Sequence, residues 1–96
     1  MTNNKGAREL VETLLLKNLS KLKKYCNFYM RNINHDVYDE EYLFGCVIER
    51  ILLKCDTFKE VDGKGFLAWM NMITRNLSVD IKRKLFKEVQ TTDIVS

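Results

Sequence analysis

The side chains best suited to chemistry lie in residues 65–84, GFLAWMNMITRNLSVDIKRK. This segment begins with apolar and aromatic residues and ends with three consecutive cations. Residues 75–87 hold five cations and one acid, Asp80, a local charge of +4. Lysine and arginine neutralise phosphates and release counterions, and Trp, Phe and Asn stack on or hydrogen-bond to unpaired bases. The composition therefore predicts either a nucleic-acid surface or an ordinary solvated helix end.

Residues for catalysis are scarce. The single histidine, His35, stands in a predicted turn, and no serine or cysteine has a recognisable base partner. The stretch DGKG, residues 62–65, is too short for a phosphate-binding loop. Glu40 and Glu41 are explained by the favourable position of acids in the first turn of a helix. We therefore expect no enzymatic activity and no cofactor.

The cysteine pattern bears on redox compartment and metal binding. The chain has three cysteines, and each lies within an apolar helical pattern rather than a CxxC motif: Cys26, Cys46 and Cys55. His35 has no cysteine at ligand spacing. We expect buried free thiols in a reducing compartment and no metal site.

Length and composition indicate a single small domain. The chain has 96 residues, 46% of them hydrophobic and 30% charged, and a net charge of +3. A chain of this size buries roughly 60–65% of its unfolded surface, which allows one small core. The N-terminus lacks an apolar signal core, and no apolar run approaches the ~18 residues of a membrane span. We expect a cytoplasmic protein without a membrane partner.

The first half of the chain predicts one amphipathic helix over residues 7–33, or two with a break near residues 17–20. Apolar residues recur at three- and four-residue steps: Leu10, Leu14 or Leu15, Leu22, Cys26, Tyr29 and Met30. Lys17, Lys21 and Lys24 fall on another face, which the pattern alone assigns to solvent.

A second helix is predicted to follow an N-cap at Asp36 or Asp39 and to continue to about Cys55. Its inward residues step by four: Leu43, Val47, Ile51 and Cys55. Gly45 is unusual within it, because glycine costs about 1 kcal/mol relative to alanine in a helix interior. We expect a close-packed neighbour there. Residues 56–61 fit a short helix.

The last helix is predicted to begin at about Phe66. Its inward face is expected to hold Phe66, Trp69 or Met70, Ile73, Leu77, and Asp80 or Ile81, with Asn71, Arg75, Ser78 and Lys82 pointing away. No strand alternation occurs. The prediction is an all-α bundle of about four helices, with residues 1–9 flexible, 10–87 as the domain and 88–96 as a frayed tail or linker.

Residues 38–84 resemble region 2 of bacterial RNA polymerase sigma factors, especially the small extracytoplasmic-function group. Their sequence is YDEEYLFGCVIERILLKCDTFKEVDGKGFLAWMNMITRNLSVDIKRK. That family has an acidic start ending in Leu, an apolar helix, Thr-Phe, a Gly-Phe-Trp motif, Ile-Ala-Arg-Asn, and then Asp with a basic cluster. The counterparts are Asp39, Glu41 and Leu43; Thr57 and Phe58; Gly65, Phe66, Ala68 and Trp69; Ile73, Arg75 and Asn76; and Asp80 with Lys82, Arg83 and Lys84. The resemblance covers roughly residues 10–87.

This resemblance implies two binding surfaces on one helical domain. The helix over residues 39–55 would dock on the β′ clamp helices of core RNA polymerase, through Asp39, Glu41, Tyr42, Phe44, Gly45, Ile48 and Glu49. The last helix and the loop before it would contact the non-template strand of the promoter −10 element, help to melt it and capture an unstacked base. The residues implied are Lys59, Lys64, Arg75, Asn76, Lys82, Arg83 and Lys84. An anti-sigma factor is a further implied partner. Trp69 is assigned to the core by its phase.

The chain also departs from the family. Gly45 and Cys46 stand where members carry Gln-Glu, and Tyr42 replaces an acid of the acidic start. These departures keep an alternative open: a sigma-like interaction module that binds polymerase or an anti-sigma factor without opening promoters. The family's −35-binding domain does not follow residue 96 in this sequence, so we expect a fragment of a longer sigma factor or a stand-alone module.

Overall fold

Four α-helices make up most of the chain. The computed structural model describes the backbone of residues 3–58 and 65–95, and the side chains of residues 6–58 and 65–87. The helices are α1 (Asn3–Lys17), α2 (Leu19–Met30), α3 (Glu40–Leu53) and α4 (Gly65–Val95), with one 3-10 turn at Cys55–Thr57. The described residues contain no strand. The predicted all-α bundle of about four helices is confirmed.

Asn18 separates α1 from α2, in agreement with the break predicted near residues 17–20. Its backbone N–H donates to the Leu15 carbonyl and its side-chain amide donates to the Leu14 carbonyl at 2.8 Å. This local bonding ends α1 without glycine or proline. Helix α1 begins at Asn3, within the segment expected to be flexible.

Within α1, the predicted inward position of Leu10 is wrong, while Leu15, one of the two alternatives, is buried as predicted. Leu10 is 44% exposed, whereas Val11 is fully buried and Leu15 is buried. Leu10 and Val11 are adjacent and both apolar, so the periodicity alone admits either phase.

Helix α3 begins at the N-cap Asp39, one of the two predicted caps. The Asp39 Oδ1 atom accepts a hydrogen bond from the Tyr42 backbone N–H at 2.9 Å. The turn before it is closed by His35, whose Nδ1 accepts from the N–H groups of Val37 and Tyr38. The single histidine therefore shapes a turn. The helix ends at Leu53, two residues earlier than predicted, and a 3-10 turn follows at Cys55–Thr57. Of the short helix predicted over residues 56–61, residues 59–61 lie outside the described part of the chain.

The core lies where α2, α3 and α4 meet, with α1 packed against α3 and the 3-10 turn. Its buried members come from every element: Val11, Leu15, Leu22, Cys26, Met30, Leu43, Val47, Ile51, Cys55, Phe58, Phe66, Met70, Ile73 and Ile81. Trp69 packs against this core, with its ring 5.0 Å from that of Phe58. Of the three cysteines, two are buried and Cys46 is partly exposed.

Helix α4 differs from the predicted face at several positions. Ser78 is buried rather than outward, and its hydroxyl donates to the Arg75 carbonyl at 2.7 Å. Asn71 is half-buried because it accepts a hydrogen bond from Tyr29. Asp80 and Ile81 were the two candidates for one inward position, and Ile81 is the buried residue.

Helix α4 continues to Val95, through the segment expected to be a frayed tail. No glycine or proline occurs after Gly65, so nothing in the sequence interrupts the helix.

The close neighbour expected at Gly45 is absent. A Cβ atom placed on Gly45 has no atom within 4 Å, and the residue is exposed. The prediction failed because a glycine in a helix interior indicates a missing side chain without indicating which neighbour, if any, requires it.

Candidate functional site

The outer face of α4 carries four of the predicted DNA-contacting residues. Arg75, Asn76, Lys82 and Arg83 are all exposed. Arg75 and Lys82 are seven residues apart, as are Asn76 and Arg83, so each pair shares one side of the helix about 10 Å apart along its axis. Lys84 is also exposed but lies farther round toward α3. The outer face is therefore polar and cationic over two turns.

Between these two pairs runs a line of exposed apolar side chains. Met72, Val79 and Phe86 are 51%, 37% and 62% exposed. Their seven-residue spacing places them on one face of the helix. None of the three is among the predicted site residues, although their spacing on the polar face is legible in the sequence. We call this line, with its flanking Arg75, Asn76, Lys82 and Arg83, the α4 face.

Lys59 and Lys64, the predicted loop contacts, lie outside the described residues. Trp69, at the start of α4, is half-buried against Phe58 and Phe66. Its assignment to the core agrees with this packing.

The exposed side of α3 presents a second surface. Glu41, Gly45 and Glu49 are exposed and step by four residues, and Leu53, 73% exposed, continues the same line. Leu53 is not among the predicted residues, although it lies four residues beyond Glu49. We call this line, Glu41, Gly45, Glu49 and Leu53, the α3 ridge.

The other predicted polymerase-contacting residues flank the α3 ridge or support it. Phe44 and Ile48 are half-buried on one flank, and Tyr42 is half-buried on the other. Asp39 is engaged as the N-cap through its Oδ1 atom. The structure thus brings Tyr42, Phe44, Gly45, Ile48 and Glu49 around one exposed helix face.

A groove of about 490 Å³ joins the two surfaces. Its lining comes from α3 and from the C-terminal half of α4: Tyr42, Cys46, Glu49, Arg50, Leu53, Leu77, Asp80, Ile81, Arg83, Lys84 and Lys87. Predicted DNA contacts Arg83 and Lys84 therefore share a groove with predicted polymerase contacts Tyr42 and Glu49. Arg50 and Lys87 are not among the predicted residues.

Electrostatic effects shift two pKa values at the edges of α3. Beside the groove, the nearby Cys46 raises the pKa of Tyr42, first by charge repulsion and then through a side-chain hydrogen bond, so the Tyr42 hydroxyl becomes harder to ionise. On the opposite flank, burial and the nearby Glu40 carboxylate raise the pKa of the Cys26 thiol from 9.0 to about 12. Cys26 is therefore an unreactive thiol at neutral pH.

Among the residues whose side chains are described, the one ion pair joins Arg8 and Glu12 at 3.0 Å. Within that part of the chain, the cations of α4 therefore form no ion pair. Arg75 and Asp80 are both exposed and do not bridge to a neighbouring helix there. Every deeply buried side-chain oxygen and nitrogen in the described residues has a hydrogen-bond partner. The polar groups free to act are thus at the surface.

Comparison with protein-family models, with curated proteins and with solved structures gave no match. In the described residues, no three His, Cys, Asp or Glu side chains gather as a metal site. None of the described helices combines the length and apolar content needed to cross a membrane.

Proposed function

We propose that this chain is a sigma-factor region 2 module of the extracytoplasmic-function type. It binds core RNA polymerase through the α3 ridge and contacts the non-template strand of a promoter −10 element through the α4 face. The observation that carries the proposal is the α4 face itself. There, Arg75, Asn76, Lys82 and Arg83 flank exposed apolar side chains in the order in which the family motif places its own Arg, Asn and basic cluster.

The α4 face suits a single strand better than a closed duplex. Phosphates along a strand pair with arginine and lysine, and each contact releases counterions. Unpaired bases then meet the apolar line, where Phe86 offers an exposed aromatic ring. In a closed duplex the base faces are stacked and cannot reach this line.

Strand separation by such a surface needs no ATP. Unstacking one base costs a few kcal/mol, and stacking on an aromatic side chain returns about 1–3 kcal/mol per base. Phosphate contacts supply the remainder. The chain therefore melts the −10 element by capturing bases as they unstack.

The α3 ridge supports the polymerase contact. It combines acids at Glu41 and Glu49 with the strongly exposed Leu53, and half-buried Phe44 and Ile48 widen the apolar part. Exposed large apolar residues beside charges are typical of protein interfaces. Gly45 leaves the middle of the ridge flat, so a partner backbone is able to approach closely there.

Capture of purified bacterial core polymerase by the immobilised chain tests this contact. We expect the wild type to retain polymerase and Glu49→Lys to lower retention about tenfold, because a rim charge on the ridge is reversed. Glu9→Lys is the matched control, since Glu9 is an equally exposed acid on α1. The Phe44→Ala, Glu49→Ala double variant is then tested for retention in the same assay. Circular dichroism checks that this variant is folded. Equal retention of Glu49→Lys and Glu9→Lys would contradict the proposed interface.

The departure at Gly45 and Cys46 favours a second function. Under this second function, the chain binds polymerase or an anti-sigma factor without opening promoters. The Cys46 side chain faces the groove that also holds Arg83 and Lys84, so this region of α3 is not the polar surface of the family. Replacing Lys82, Arg83 and Lys84 by glutamine separates the two functions. The change abolishes promoter binding under the first and leaves protein binding intact under the second.

A further inference from the structure

Helix α2 carries a second cationic surface that the proposed function does not use. Lys21, Lys24, Phe28 and the C-cap residue Arg31 step by three and four residues and are all exposed. This spacing keeps them on one side of the helix, opposite the buried Leu22, Cys26 and Met30. We call these four residues the α2 stripe.

Acidic residues are absent from this part of the chain. The sequence has 13 acids, yet none lies between Glu12 and Asp36. Exposed helix faces usually mix charges, because acid–base pairs four residues apart stabilise the helix. The first turn of α2 contains no acid either, and Lys21 lies near the positive end of the helix dipole. Lys21 therefore stands where it costs the helix stability, which favours a role outside the fold.

The aromatic member of the stripe is held in a defined position. Phe28 is 58% exposed, its ring lies edge-on to Tyr29 with centroids 5.3 Å apart, and the Arg31 guanidinium lies 4.9 Å from its ring centroid. A ring that remains largely exposed beside an arginine is a stacking platform for an unpaired base.

We propose that the α2 stripe is a second binding site, for single-stranded nucleic acid without sequence preference. Lys21, Lys24 and Arg31 pair with backbone phosphates, and Phe28 stacks on one base. From Lys21 to Arg31 the helix rises about 15 Å, enough for about four phosphates at the axial spacing of one strand. The site stands apart from promoter recognition and adds affinity for strands of any sequence.

The site also connects to the α4 face. The Tyr29 hydroxyl donates to Asn71 Oδ1 at 2.8 Å, and Tyr29 is the neighbour of Phe28. Asn71 lies on α4 one turn before Arg75. The end of the stripe and the start of the α4 face are therefore adjacent, so one strand is able to pass from one to the other.

The test is fluorescence anisotropy with a labelled oligothymidylate of about 12 nucleotides, using the full chain without polymerase. We expect Lys21→Gln, Lys24→Gln to weaken binding at least about fivefold at about 50 mM salt and to reduce the salt slope by about 1.4, or about 0.7 per lost contact. The matched control is Lys23→Gln, Lys54→Gln, which changes the same charge at exposed positions off the stripe. Identical behaviour of the two double variants would overturn the proposal.

Phe28→Ala separates stacking from charge. We expect about a tenfold loss for the single strand with an unchanged salt slope, no loss for a duplex of the same length, and recovery with Phe28→Trp. Equal losses for the strand and the duplex would contradict base stacking.

Vesicles rich in phosphatidylserine test whether the stripe binds a lipid surface instead. If the lysine variants lose vesicle binding while oligothymidylate binding is unchanged, the stripe serves a lipid surface and the proposal is wrong.

The probe contains no promoter sequence and the assay contains no polymerase. Failure of this inference therefore leaves the polymerase-dependent function untouched, and failure of that function leaves the stripe intact.

Discussion

The Tyr29 hydroxyl donates a hydrogen bond to Asn71 Oδ1 at 2.8 Å, joining α2 to α4 across 42 residues of sequence. Both side chains are half-buried. The bond is one of the contacts between the two helices that carry the cationic surfaces. It also accounts for Asn71, whose predicted outward position is replaced by a contact between helices.

Removal of the Tyr29 hydroxyl tests the strength of this link. We expect Tyr29→Phe to lower the free energy of unfolding by about 1 kcal/mol, because Asn71 loses its partner in a half-buried place. Urea unfolding followed by circular dichroism measures it. Tyr25→Phe is the control, since Tyr25 is half-buried one turn earlier on α2. A loss no greater than that of the control would show that the bond does not hold the helices.

Substitution of Gly45 tests whether the fold has any use for a glycine in α3. We expect Gly45→Ala to raise the free energy of unfolding by about 0.5–1 kcal/mol, because the added methyl group meets open space and alanine favours the helix. Thermal unfolding measures the change. Destabilisation would show that the ridge is packed more closely than the contacts around Gly45 indicate.

The same Gly45→Ala variant bears on partner binding. If a polymerase segment approaches the α3 ridge closely, the more stable variant retains less polymerase in the capture assay. Gly6→Ala is the control, since a Cβ atom at Gly6 also meets open space.

The aromatic cluster of Phe58, Phe66 and Trp69 is predicted to be a main support of the fold. Phe58 is 8% exposed, and its ring contacts those of Phe66 and Trp69 at centroid distances of 5.5 and 5.0 Å. We expect Phe58→Ala to cost about 3 kcal/mol of unfolding free energy and to shift Trp69 fluorescence to the red. Phe28→Ala, at an exposed ring, is expected to cost under about 0.5 kcal/mol. Similar costs for both would contradict the assigned core.

Alkaline pH is predicted to destabilise the fold through Cys26. Its thiol pKa is raised from 9.0 to about 12 by burial and then by the Glu40 carboxylate. Above pH 9 the unfolded chain loses this proton while the folded chain retains it, so the unfolded state binds fewer protons and stability falls as pH rises. Below pH 9 the thiol is protonated in both states and contributes no pH dependence.

The expected slope is about 1 kcal/mol of unfolding free energy per pH unit between pH 9 and pH 12. Denaturant unfolding of wild type and Cys26→Ala over this range measures it. Other alkaline titrations are common to both chains, so the difference between them isolates the thiol. Parallel curves for the two chains would contradict the assignment.

The sequence predicted the helices well because the signals for them are local. These signals act within one or two turns of a helix. They are the N-cap at Asp39, the four-residue spacing of apolar residues in α3 and the lack of proline. Failures came from contacts between helices. The half-burial of Asn71 reflects its contact with Tyr29 on α2, which no pattern within α4 reveals.

The candidate surfaces were predicted in part for the same reason. Arg75, Asn76, Lys82 and Arg83 are exposed where their phase on one helix places them. The groove that joins Lys84 to Tyr42 depends on how α3 and α4 pack, so Arg50 and Lys87 were not predicted with them. Leu53 and Phe86 were overlooked although their spacing was visible, because an apolar residue in a helix is ordinarily assigned to the core.

The most direct test of the proposed function is selection of single strands by core polymerase together with this chain. A pool of oligonucleotides with about ten randomised positions is incubated with polymerase alone, with polymerase and the wild-type chain, and with polymerase and the Lys82→Gln, Arg83→Gln, Lys84→Gln variant. We predict enrichment of one short sequence with the wild type, and no such enrichment with polymerase alone or with the variant. Failure of the wild-type chain to enrich any sequence beyond polymerase alone would contradict promoter recognition by the α4 face.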